Sequence, residues 1–168
     1  KLPIDVALIQ VSPPDEHGYC SYGVSVDVTK AAAESADHVV AEVNPNMPRT
    51  LGDSFIHIDD IHELVPSDMP ILEAPMGQID EIASQIGLHI AELIQDGSTL
   101  QLGIGTIPDA VLASLGDKKN LGIHSEMISD GVIGLVEKGV INGSCKNNHV
   151  GKIVASFAIG SRRLYDFI

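Results

Sequence analysis

The chain of 168 residues has no tryptophan, three phenylalanines and three tyrosines, two cysteines, and only 10 Lys and Arg against 23 Asp and Glu. Each shortage excludes something. The formal charge of −13 leaves no basic face for phosphate backbones, and Arg162-Arg163 is too small a pair to change that, so nucleic-acid binding is not expected. Cys20 and Cys145 are far apart and lack CxxC spacing, which indicates neither a zinc knuckle nor a disulfide framework and suits a reducing cytoplasm. No apolar run approaches the roughly 20 residues that a membrane span needs, and no targeting segment is visible. Three catalytic signatures are also missing: the GxSxG elbow, the HExxH zinc helix and the Lys-Ser/Thr of a P-loop.

What is present is an alternation of short apolar runs with helical patterns, the signature of βαβ units around a parallel sheet. Residues 5–11 read as a buried strand ended by Pro13-Pro14. Residues 29–36 read as a short alanine-rich helix capped by Asp27 or Thr29, and residues 38–43 as the next strand. A proline-rich stretch from 44 to 75, with short strands such as 54–58, suggests a domain boundary nearby. Ile79, Ile82, Ile86, Ile90 and Leu93 form one apolar stripe on a helix of about four turns, closed by Asp96-Gly97. The expected division is 1–77 and 78–168. Because the chain starts at Lys1 without Met and stops within an apparent helix, it reads as a piece of a longer protein.

The second half holds the chemistry. Residues 99–102 read as a strand, Gly103-Ile-Gly105 as its exit turn, and Pro108 as the first residue of a helix reaching Leu115. Glycines at that junction let main-chain N–H groups approach a phosphate, a thioester oxygen or a carboxylate. Pro108 stands where a dinucleotide fingerprint would place its third glycine, so a purely structural tight turn remains an equal reading. Residues 120–124 read as the next strand, Ser125 or Glu126 as the start of a helix to about Lys138, and residues 152–156 as a third strand. Glu126 would then lie at the carboxyl end of a strand, where open α/β sheets bind ligands. The alternative is an acid that merely complements a helix dipole.

Other constellations are weaker. His124 and Ser125 are strand neighbours that point to opposite faces and cannot readily share a proton. His57, Asp59, Asp60 and His62 match no metal motif and suit a solvated loop, and His17 suits a turn. Met127 and Ile107 could border a short acyl pocket or simply be core.

Four stretches carry a family resemblance: Val11-Ser-Pro-Pro-Asp-Glu-His-Gly-Tyr19, Gly23-Val-Ser-Val-Asp27, Gln101-Leu-Gly-Ile-Gly-Thr-Ile-Pro-Asp-Ala-Val111 and Leu121-Gly-Ile-His-Ser-Glu-Met-Ile-Ser-Asp-Gly131. With them the chain resembles the acetyl-CoA hydrolase/transferase family, nearest its 4-hydroxybutyrate and butyrate–acetate CoA-transferase members. The resemblance implies an open parallel-sheet α/β fold of the CoA-transferase type (NagB/RpiA-like). It implies that the chain covers the end of one α/β domain and the start of a second, in a protein over twice as long. Glu126 matches the catalytic glutamate, which in such enzymes passes through an acyl-glutamyl anhydride to a glutamyl-CoA thioester. Gly103, Ile104, Gly105, Thr106 and Ile107 match the loop that touches coenzyme A, and Gln101 matches a residue beside the glutamate.

The resemblance implies no metal or redox cofactor, with coenzyme A and acyl-CoA as substrates. It also implies that a glycine-rich segment supplying an oxyanion donor lies after Ile168, so this segment alone would be inactive. An acyl-CoA hydrolase and a non-catalytic phosphometabolite-binding domain are the other readings. Exposed apolar surface would favour a homo-oligomer.

Overall fold

A computed structural model describes residues 3–74 and 76–168. The chain forms two compact units that divide between Leu72 and Glu73, where the sequence reading sets the division at 77/78.

The first unit is built on three parallel strands, β1 (Ile4–Val11), β3 (Ala36–Val43) and β5 (Glu63–Pro66), in the order β1-β3-β5. Between β1 and β3 run a short strand β2 (Tyr19–Ser21) and helix α1 (Asp27–Ala33). β2 pairs antiparallel with β4 (Phe55–His57). Strand alternation sends Ala7, Ile9, Val11, Val39 and Ala41 into one core with Cys20, Tyr22 and Ala33. The other face of the sheet stays open, with Leu8 79% exposed. Asp27 does serve the start of α1, since its carboxylate accepts the N–H of Thr29 at 3.1 Å. The helix begins there, two residues ahead of the expected 29–36.

The second unit has helix α2 (Glu81–Leu93), strand β6 (Thr99–Leu100), helix α3 (Thr106–Ala113), strand β7 (Gly122–Ile128), helix α4 (Gly131–Glu137), strand β8 (Val154–Ala158) and helix α5 (Arg162–Phe167). Its sheet is parallel throughout, in the order β6-β7-β8. Near its amino-terminal edge the buried Lys146 donates to the carbonyls of Ile123 (2.8 Å) and Lys152 (2.6 Å). Burial lowers its pKa, and its chain fills the space above Gly122, where a Cβ would meet Lys146 Cγ at 2.6 Å.

Three expectations need correction. No helix starts at Ser125 or Glu126. β7 runs on to Ile128 because Met127 and Ile128 pair with Phe157 and Ala158 of β8, and α4 begins only at Gly131. Tertiary pairing overrides the local helical pattern here. Pro108 is the third residue of α3 and not the first; it is still within the first turn, where its missing N–H leaves no helical bond unmade.

The third correction concerns α2. Its isoleucine stripe is not the buried face: Ile82 is 71% and Leu93 82% exposed, and Ile86 and Ile90 are only half-buried. The buried face is the small-residue row Ala83, Gly87 and Ala91, and it packs on α3 so closely that a Cβ on Gly87 would lie 2.7 Å from the Ala110 carbonyl. Helices this close exclude large side chains from the contact, so size outweighs hydrophobicity in choosing the face.

The two faces of α2 should respond oppositely to substitution. Gly87→Ala improves intrinsic helix propensity by about 1 kcal/mol yet forces α2 and α3 apart, for a net loss of about 1–3 kcal/mol in denaturant unfolding. Ile82→Gln should change stability by less than about 0.5 kcal/mol.

Candidate active site

Parallel strands deliver their carboxyl ends to one edge, and the loops leaving β6, β7 and β8 meet there. β6 and β7 pair as Thr99 with Gly122 and Leu100 with Ile123. The ladder then gives way to a side chain. The Leu102 N–H donates to Ser125 Oγ at 2.9 Å, and that hydroxyl is 3.3 Å from the Leu102 carbonyl, to which it donates. Both links keep the sequence offset of 23 seen in the ladder, so the register is held as far as Leu102, one residue before the turn at Gly103.

Glu126 lies inside β7, with Ser125 and Met127 buried on one face and His124 and Glu126 exposed on the other. That alternation separates His124 from Ser125. Glu126 caps no helix, since α4 starts five residues later, which removes the dipole-complement reading. Its main-chain carbonyl accepts the Ser156 hydroxyl at 2.7 Å. Its carboxylate makes no hydrogen bond or ion pair among the described residues.

The glycine turn is open to solvent at Gln101, Gly103, Ile104, Gly105, Thr106 and Ile107. Gly105 is the N-cap of α3 with φ 120°, a conformation that favours glycine, and no side chain caps the helix's first N–H groups. Those donors and the positive end of the helix face outward. Gln101 Nε2 donates to the Leu102 carbonyl at 2.7 Å. Ile104 is 70% exposed, so an apolar side chain stands beside the uncapped turn.

A small crevice of about 120 Å³ opens between the turn and β7, bordered by Gly103, Ile104, Gly105, Asp109, Met127 and Ser129. It gathers the turn with the Met127 side of β7, whereas the Glu126 side chain belongs to the other face. Ile107 does not border it.

Sequence reasoning overlooked Asp109. It is 8% exposed, accepts the Ser129 hydroxyl at 3.3 Å, and its pKa is raised by burial, against the opposing bond from Ser129 and with a smaller push from the Asp130 charge. Asp130 in turn accepts the Ser161 N–H at 2.7 Å and also binds the Ser161 hydroxyl. The exits of β6, β7 and β8 are thereby tied in series through Asp109, Ser129, Asp130 and Ser161. The signal available beforehand was an acid in the first turn of a helix otherwise apolar on every side.

Other candidates have structural partners. His57 accepts the Asp59 N–H at 3.2 Å and its Nε2 lies 3.0 Å from the His17 carbonyl, while His62 Nδ1 accepts the Val39 N–H at 3.0 Å. In the first unit's motif, Asp15 accepts the N–H groups of His17 and Tyr19, each at 2.9 Å, and holds Arg49. These bonds, that of Tyr19 foremost, lower its pKa.

The model of the acetyl-CoA hydrolase/transferase N-terminal domain matches residues 1–74. The 4-hydroxybutyrate coenzyme A transferase of Clostridium kluyveri is 62% identical over all 168 residues, which span 39% of that protein. This chain belongs to the acetyl-CoA hydrolase/transferase family.

Other members agree. The succinyl-CoA:acetate/propanoyl-CoA:succinate CoA transferase of Fasciola hepatica is 49% identical over 98% of the chain and 35% of its own length. The crystal structure of the 4-hydroxybutyrate CoA-transferase of Porphyromonas gingivalis superposes with a TM-score of 0.95 at 53% identity, covering 98% of this chain and 42% of that one. Acetyl-CoA hydrolases of the family are more distant, 26% identical in Neurospora crassa. The chain therefore spans well under half the length of the curated relatives it matches. No helix among the described residues is long and apolar enough to cross a membrane.

The buried Asp109 stands one turn of α3 beyond Gly105, and its titration gives a test. Because its folded-state pKa lies above the ordinary 3.8, this carboxyl's contribution to stability is complete below that value and is lost as pH rises through the folded-state pKa. Asp109→Asn keeps a partner for Ser129 without the charge. The variant's melting temperature should gain on the wild type as the buffer is moved from about pH 4 to about pH 8.

Proposed function

We propose that the whole protein moves coenzyme A between a short-chain acyl-CoA, such as 4-hydroxybutyryl- or butyryl-CoA, and a carboxylic acid such as acetate. The Glu126 carboxylate attacks the thioester carbonyl and expels CoA as the thiolate, leaving an acyl-glutamyl anhydride. The thiolate then attacks the glutamyl carbonyl, releases the first carboxylate and forms a glutamyl-CoA thioester. The acceptor acid reverses both steps with its own acyl group. Atoms and charge balance without water, metal or redox partner, because one carboxylate leaves for each that enters.

The observation that carries this reading is the placement of Glu126: a carboxylate without a partner among the described residues, on a strand whose neighbour exits as an uncapped glycine turn. A nucleophile must be free of competing partners, and a thioester's developing oxyanion needs fixed donors. Gln101, Gly103, Ile104, Gly105, Thr106 and Ile107 would hold coenzyme A through main-chain N–H groups and the apolar side chains that flank them. In this reading the chain is part of a larger cytoplasmic homo-oligomer built from two CoA-transferase-type domains. Donors outside residues 1–168 complete the oxyanion site, so the segment alone is inactive.

A hydrolase would share every step up to the glutamyl thioester and differ only in admitting water. The nearer relatives favour transfer, since the 62% and 49% identical proteins are transferases and the hydrolases are 26% identical or less.

Incubation of the full-length protein with an acyl-CoA, borohydride reduction and peptide mass spectrometry should place a modification on Glu126. Glu126→Gln should abolish it and lower CoA exchange by at least about a thousandfold. Exchange that depends on acetate identifies a transferase, steady CoA release without acetate a hydrolase. An unmodified Glu126 leaves a binding domain.

A further inference from the structure

We propose that Ser125 is a positioning residue for the reaction at Glu126, its hydroxyl setting how the glycine turn stands relative to the carboxylate. This rests on Glu126 being the nucleophile.

Ser125 is buried at 8% exposure, immediately before Glu126 and on the opposite face of β7. Its Oγ accepts the N–H groups of Leu102 (2.9 Å) and Met127 (3.3 Å), and it donates to the Leu102 carbonyl (3.3 Å). One donor and two acceptor sites are thus all occupied, which leaves this hydroxyl nothing to offer a substrate. Its role is exerted through the main chain on both sides.

Those bonds fall at the point where β6 stops being a strand. Leu100 is the last residue of β6, and Leu102 is buried, so its N–H and carbonyl need partners. A continued ladder would supply them from the β7 main chain and hold residues 101–103 extended. The serine hydroxyl supplies the acceptor for the N–H and shares the carbonyl with the Gln101 amide, so the chain can turn at Gly103 while still tethered one residue earlier. The same oxygen takes the N–H of Met127, on the far side of Glu126. One atom therefore fixes both the turn proposed to hold coenzyme A and the strand segment proposed to attack it.

The chemistry is sensitive to such placement, since reacting atoms must be brought to about 3–3.5 Å and an error near 1 Å costs about a hundredfold in rate. Substrate capture by the exposed turn is less so. Ser125→Ala in the full-length protein should slow single-turnover formation of the Glu126–CoA thioester about 10- to 100-fold, with half-saturation by acyl-CoA changed by less than about threefold. Ser125→Thr keeps the hydroxyl and should recover the rate to within about threefold of wild type. Ser125→Cys retains volume with a weak hydrogen-bonding group and stands in for alanine if that variant does not fold.

A merely structural serine would lower melting temperature without this split between rate and saturation. The proposal is overturned if folded Ser125→Ala or Ser125→Cys forms the thioester at the wild-type rate, or if Ser125→Thr is as slow as they are. Wild-type protein that carries no CoA on Glu126 removes the functional reading and this one together. Wild-type labelling with a fast alanine variant removes this one alone.

Discussion

The parallel alignment of β6, β7 and β8 is the constraint on which the second unit's candidate site depends. In a parallel sheet every strand leaves by the same edge, so three loops distant in sequence are gathered without any of them having to reach. The sheet supplies only the meeting place. Their relative positions are set by short polar side chains: Ser125 to Leu102, Ser129 to Asp109, and Asp130 to Ser161. Each of these stands at or just beyond the end of a ladder, where backbone groups have lost their regular partners. Glu126 directly follows the first of these clasps in β7, with its side chain on the opposite face and its carboxylate engaged by none of them, a combination suited to a nucleophile that must be held by its main chain and left free at its tip.

Much of this was legible in the sequence for identifiable reasons. The strand at 5–11 and the one at 38–43 are apolar runs bounded by breakers, and their register follows from burial of one face. Gly103 and Gly105 announced the turn because few other residues tolerate such an approach, and Gly105 does take a positive φ. The motifs that suggested the family are confirmed by relatives matching along the whole chain. Glu126 was singled out by residue type and by motif, and its expected place at a helix start was mistaken, since the strand outlasts the helical pattern.

What sequence alone could not supply were contacts made across the fold. Periodicity marked the isoleucines of α2, but the face that packs was chosen by the closeness of Ala110, which no local pattern encodes. Asp109 drew no notice in the sequence, because only the folded chain separates it from water. Ser125 looked like a strand serine beside a histidine, and only the premature end of β6 showed what its hydroxyl replaces. Lys146 likewise gave no sign that its ammonium would join two carbonyls in the interior.

Ile82, Leu88 and Leu93, exposed along α2, bear on how the chain behaves in solution. The net charge of −13 opposes contact between such apolar surfaces on separate molecules. That repulsion fades near the isoelectric point of about 4.7, leaving bare hydrocarbon to find hydrocarbon. Mild acid therefore favours association of this chain through the exposed side chains of α2.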